Sequence, residues 1–173
     1  MDTNNHLVIM AGGVGSRFWP ISSEELPKQF LDILHCGRTL IQLTVDRFKD
    51  LVPNENIWVV TSENYRNTVI EQLPDVPAEN ILCEPCRRNT APCICYASWK
   101  IKKVNPKATI VVSPADHVVV DTKAFQESIA DSLDYAARRI VNLINRLYPL
   151  KKCDKLKKKV CLYYHINAQI SKQ

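Results

Sequence analysis

Apolar runs and amphipathic stretches alternate along residues 1–137, and their lengths set the expectation for the fold. Val8, Ile9 and Met10 form a short apolar run that ends in glycines, and 57–61 (IWVVT), 80–83 (NILC) and 109–112 (TIVV) are three more. Runs this short and this apolar predict buried strands. Between them the spacing becomes helical. Over 38–50, Leu40, Ile41, Leu43, Val45 and Phe48 share one face of a helix that Thr39 is placed to cap. Residues 63–73 predict a polar-faced helix stopped before Pro74, 91–103 a third helix, and 122 or 123 to about 137 a fourth.

Strands and helices in this rhythm imply an α/β fold: a mostly parallel sheet with helices on both faces and ligands at the carboxyl ends of its strands. The glycine turn after the first run, the segment at 84–90 after the third and Asp116 after the fourth all fall at that edge. Topology alone therefore gathers three distant segments into one candidate site. No repeat or linker interrupts residues 1–137.

The segment at 7–30, LVIMAGGVGSRFWPISSEELPKQF, carries the most chemistry. The chain has only 4 glycines, and Gly12, Gly13 and Gly15 fall in this one turn. Such a turn bends tightly and brings backbone N–H groups against an anion. Arg17 adds a fork of donors and Lys28 a mobile point charge. The loop is not a dinucleotide fingerprint, because Pro20 prevents an immediate regular helix, and it lacks the Lys-Ser/Thr ending of a Walker loop. Without a ligand, the same residues read as a tight strand-to-helix turn with solvated charges beyond it.

With 173 residues, 46% of them hydrophobic and 24% charged, the chain suits one soluble domain. The start has no cationic signal region and no apolar run is long enough to cross a membrane, so a cytoplasmic location without membrane partners is expected. The 7 cysteines are an odd number and point to reduced thiols. Cys83 and Cys86 form a C-x-x-C near Cys93 and Cys95. Because Cys83 ends a strand and the latter two fall in a helix, packing is favoured over a zinc cluster.

Charge divides the chain unevenly. Residues 1–137 hold 13 Lys and Arg against 17 Asp and Glu, whereas 138–173 hold 10 against 1. That basic tail is a separate compositional regime. Its start can extend the last helix as far as Pro149, and no regular element is assigned to the lysine-rich remainder. Without interleaved aromatics it does not predict nucleic-acid binding.

AGGVGSRFWPIS followed by PKQF, EPCRRNTAPCI at 84–94 and SPADH at 113–117 together resemble the sugar-phosphate nucleotidyltransferases, the mannose-1-phosphate guanylyltransferases in particular. The resemblance covers about residues 6–137, leaving 138–173 outside it. It implies a Rossmann-like nucleotidyltransferase sheet, incomplete at its C-terminal side, that transfers GMP from GTP to mannose 1-phosphate and releases pyrophosphate. It further implies Arg17 and Lys28 as catalytic contacts to the reacting phosphates, and Asp116 as the Mg²⁺ ligand with His117 in support. Ala11, Gly12, Gly13, Gly15, Ser16, Glu84, Asn89, Thr90 and Pro114 are the implied nucleotide contacts, with Glu84 reading guanine. On the residues alone, Asn89 or Thr90 caps a helix after a surface loop, and Asp121 caps the helix after Asp116. Trp19, Trp58 and Trp99 read as core or rim residues rather than stacking platforms.

The family's sugar-binding segments and second metal-binding aspartate have no counterpart in this sequence. The mannose 1-phosphate site is therefore expected to be largely missing, turnover impaired and the unfinished sheet prone to self-association. The alternative reading is a non-catalytic nucleotide-binding remnant or regulatory module.

Overall fold

The first apolar run becomes β1 (Asn5–Met10), the centre of a five-stranded sheet. The structure, a computed structural model, describes residues 2–13, 19–85, 89–138 and one later strand. β2 (Ile57–Thr61), β3 (Ile81–Cys83), β4 (Thr109–Pro114) and β5 (Leu162–His165) complete the sheet, in the order β3-β2-β1-β4-β5. The first four strands are parallel, with Leu7 opposite both Ile57 and Val111. Successive side chains of these strands point to opposite faces, and both faces are covered. Leu7, Ile9, Val59 and Val111 pack with Ile41, Val69 and Ile129 on one side, while Val8, Val60, Ile110 and Val112 pack with Ile94, Ala97 and Ile101 on the other. Strands buried on both sides read as continuous apolar runs, which is why they stand out in the sequence.

Among the described residues the helices are α1 (Leu40–Arg47), α2 (Arg66–Gln72), α3 (Thr90–Val104) and α4 (Thr122–Arg138). α1, α2 and α4 cover the first face and α3 the second. α1 is shorter than its apolar spacing predicts. Past Arg47 the Phe48 and Lys49 amides reach back only three residues, and Asp50 turns the chain at φ 69°. Thr39 is the N-cap residue of α1, as expected, and its N–H donates to Gln42 Oε1 at 3.0 Å, while its hydroxyl donates to Gln72 Oε1 at 2.8 Å. α2 is preceded by a single 3-10 turn, Glu63–Tyr65. Asp121 accepts the Ala124 N–H at 3.0 Å and so caps α4, as expected.

Within the basic tail, where no element was expected, β5 pairs antiparallel with β4, Leu162 opposite Val112. A strand edge with unpaired N–H and C=O groups recruits a partner, and a four-residue segment is enough. Lysine-rich flanks hide so short a run from any periodicity argument. No described helix is long and apolar enough to cross a membrane.

Candidate functional site

The exits of β1, β3 and β4 meet around one cleft of about 400 Å³. At the β1 exit, Ala11 is buried and held at both of its peptide groups. Its N–H donates to Val60 O at 2.8 Å, and its carbonyl accepts both Thr61 Oγ1 and Gln29 Nε2 at 3.1 Å. The same Gln29 Nε2 donates to Gly13 O at 2.9 Å. No acceptor among the described residues takes the Gly12 or Gly13 N–H. A cleft wall with two uncommitted backbone donors suits an anion.

Neither glycine has the positive φ that would demand it; among the described glycines only Gly37, outside the site, does, at φ 77°. The value of glycine here is space. A Cβ on Gly13 would meet nothing within 4 Å, and one on Gly12 only Glu84 Oε2 at 3.8 Å. Side chains are therefore absent where a ligand would approach. Gly15, Ser16 and Arg17 lie outside the described residues.

β4 delivers Asp116. The Ala115 N–H donates to Met10 O at 3.1 Å, joining the β1 and β4 exits. From α1, the Arg47 guanidinium donates to His117 O, and Thr44 Oγ1, whose hydrogen bond goes to Leu40 O at 2.8 Å, lies 3.4 Å from Ala115 O, so two helix side chains back the loop around Asp116. Lys28 Nζ sits 2.5 Å from Asp116 Oδ2, and His117 Nε2 lies 3.8 Å from Oδ1. Burial acts to raise the Asp116 pKa, but the hydrogen bond and charge of Lys28, with His117, outweigh it and hold the carboxyl below its ordinary range. It is an ionised oxygen donor. Pro114 ends β4 opposite Met10 and is not among the residues that line the cleft.

The third wall follows β3. The Glu84 N–H continues the ladder by donating to Thr61 O at 2.9 Å, and burial raises the pKa of its carboxyl. Asn89 and Thr90 line the same cleft. Asn89 precedes α3 at φ 66° and ψ −169°, a conformation costly for any residue but glycine, and its side chain makes no capping bond. The helix-cap reading of Asn89 therefore gives way to a carboxamide uncommitted to α3. Cys93, buried at the cleft floor, has its thiol pushed up to about 12 by burial and by the Glu84 charge, and burial likewise raises Cys83 to about 11. Both are protonated thiols at neutral pH.

Of the tryptophans, Trp58 is core, with its indole N–H donating to His6 Nδ1 at 3.2 Å, whereas Trp19 and Trp99 are exposed. A second cleft of about 340 Å³ lies between α1 and the end of α2. Its Arg38, Lys49, Asp46 and Glu71 mix both charge signs, and Arg38 is spent on Asp46 at 2.7 Å. It offers no convergent set of donors. The sequence reading missed Gln29, Thr44, Thr61 and Arg47. Gln29 could have been found from its place beside Lys28 in PKQF, but a last-turn arginine such as Arg47 ordinarily reads as solvated.

The chain is 41% identical over 133 residues to mannose-1-phosphate guanylyltransferase 2 of Escherichia coli O157:H7, a stretch covering 75% of this chain and 27% of that relative. It is 42% identical over 125 residues to the alginate biosynthesis protein AlgA of Pseudomonas syringae pv. tomato, covering 71% and 26%. Among solved structures, one described as mannose-1-phosphate geranyltransferase from Thermus thermophilus superposes with a TM-score of 0.68 at 31% identity, over 78% of this chain and 38% of that one. This chain thus spans little more than a quarter of the curated relatives it matches. Residues 6–151 match the nucleotidyl transferase family model, and a match of that extent, on a sheet of this order, establishes that the chain belongs to the nucleotidyl transferases.

Proposed function

We propose that this chain is the nucleotide-binding portion of a mannose-1-phosphate guanylyltransferase, acting in the cytoplasm. The reaction it serves is attack by a mannose 1-phosphate oxygen on the α-phosphorus of GTP, with pyrophosphate leaving. The observation that carries the proposal is the convergence on one cleft of two glycine amides with no acceptor among the described residues, the Lys28 ammonium and the Asp116 carboxylate. Phosphoryl and nucleotidyl transfers are catalysed chiefly by positioning and by stabilising charge on oxygen, and this set supplies both.

In this reading the Gly12 and Gly13 amides bind triphosphate oxygens, and Lys28, together with Arg17, stabilises the reacting phosphates. Asn89, Thr90 and the remaining turn residues frame the nucleotide. The Glu84 carboxylate, at the cleft wall, accepts hydrogen bonds from the N–H edge of guanine. Asp116 fits Mg²⁺: it is one ionised, partly exposed carboxylate on a rigid strand exit, and Mg²⁺ is commonly held by one or two carboxylates plus substrate phosphates. When bound, that ion would neutralise charge developing on the phosphate oxygens. The names of the relatives support GTP and mannose 1-phosphate as substrates. Contacts that grip the sugar are expected outside this stretch, so the chain by itself binds GTP weakly and does not release pyrophosphate from GTP and mannose 1-phosphate.

Isothermal titration with Mg-GTP tests the proposal. Binding heat is expected for the folded chain, and Lys28→Ala is expected to weaken affinity by about 1.5–3 kcal/mol through loss of a charge-assisted contact. Asp116→Ala should chiefly remove the Mg²⁺ dependence. Absence of heat at millimolar Mg-GTP, or variants that bind as the parent does, would refute the assignment.

A further inference from the structure

We propose that Gln29 is the positioning residue of the phosphate-binding turn: its carboxamide sets the direction of the Gly12 amide, and through it the affinity for triphosphate. The side chain is buried, and its one NH₂ group serves two carbonyls, Ala11 O at 3.1 Å and Gly13 O at 2.9 Å. The peptide joining Ala11 to Gly12 is planar and trans, so its N–H points opposite to its C=O. Gln29 and Thr61 both donate to Ala11 O, which directs the Gly12 N–H away from them and leaves it for a ligand. The Gly12–Gly13 peptide is then spanned by two carbonyls tied to a single carboxamide.

Gln29 can do this because its own backbone is fixed. It sits in the 3-10 turn Lys28–Phe30, whose Phe30 is buried against the Tyr65 ring at 5.6 Å, with its carbonyl accepting Gln72 Nε2 at 3.1 Å. The turn is bolted to α2. Its neighbour Lys28 reaches Asp116, so one three-residue turn holds both the β1 and β4 exits in relative register.

The ligand in this inference rests on the proposed function, whereas the fastening of the turn does not, and the experiment separates them. Gln29→Met keeps the length of the side chain and removes its donors. The ¹⁵N order parameters of Gly12 and Gly13 are expected to fall from about 0.85 to below about 0.6, with the rest of β1 unchanged. Mg-GTP affinity is expected to fall about tenfold (1.4 kcal/mol). Gln29→Glu supplies the second variant: ionised, it sets acceptor against acceptor, and protonated it regains one donor. Its affinity relative to the parent is expected to recover as pH falls from 8 to about 5.5, which a packing role alone would not produce. Unchanged order parameters in both variants would overturn the role of Gln29. Should the parent chain itself fail to bind Mg-GTP, the nucleotide reading falls, and the order parameters still decide whether Gln29 fastens the turn.

Discussion

At the scale of single residues, the site is built from groups that are restrained before any ligand arrives. Asp116 and Lys28 pair across the cleft, and the hydrogen bond and charge of Lys28 outweigh the burial of the carboxyl, so both charges are held in place. Gly12 shows the complementary device, an absence. Its φ does not demand glycine, and the nearest atom to an added Cβ is 3.8 Å away. Gly12→Ala is therefore expected to leave folding stability within about 0.5 kcal/mol of the parent, as surface changes without strain do. It should nevertheless cost Mg-GTP affinity tenfold or more, because the methyl group occupies the approach to the backbone amide. Paired thermal melts and titrations check this, and a stability loss with intact binding would mean that the glycine serves the fold.

At the scale of elements, α1 acts as a bracket for the exit of β4. Arg47 is buried in its last turn, donates to the His117 carbonyl and to Thr44 Oγ1, and lies 5.7 Å from the centre of the Phe125 ring of α4. A buried arginine that satisfies a loop carbonyl costs more to delete than an exposed one. Arg47→Met, which keeps the aliphatic stem, is expected to lower stability by about 2–3 kcal/mol. It should also weaken the Mg²⁺ dependence of nucleotide binding by loosening the loop that presents Asp116. Urea unfolding and Mg²⁺ titration at fixed GTP measure the two effects. Strand and helix existence was legible because both-side burial and helical spacing leave local patterns. The bracket was not, because a helix-terminal arginine looks the same whether it faces water or a loop carbonyl.

At the scale of the whole molecule, the end of β1 opposite the cleft carries a pH-sensitive weakness. His6 is 2% exposed, and burial lowers its pKa from 6.5 to about 4. Its Nδ1 accepts the Trp58 indole N–H, so a charged ring would set two donors against each other. The unfolded state thus binds the proton that the folded state refuses, and this stability is present above pH 6.5 and lost as pH falls toward 4. Denaturant unfolding across that window should reveal a loss on the order of 3 kcal/mol, abolished in His6→Gln. Asp116, with its lowered pKa, adds a further loss in the same direction at more acid pH. A flat profile between pH 6.5 and 4 would show that His6 does not control it.

What the sequence by itself determined is the first four strands, the helices between and after them, and the edge where ligands gather. Val8, Trp58, Leu82 and Val111 lie in runs whose apolar character survives without context, and parallel βα units leave only one edge for Gly12, Glu84 and Asp116. Composition also singled out the glycine turn. Tertiary structure alone decided which groups complete the site and how they are held: Lys28 on Asp116, Gln29 and Thr61 on Ala11, Thr44 and Arg47 on the loop after β4, and β5 on the open side of β4. The reason is physical. A hydrogen bond or ion pair to a partner dozens of residues away depends on where the chain returns in space, and neither period nor composition records that return.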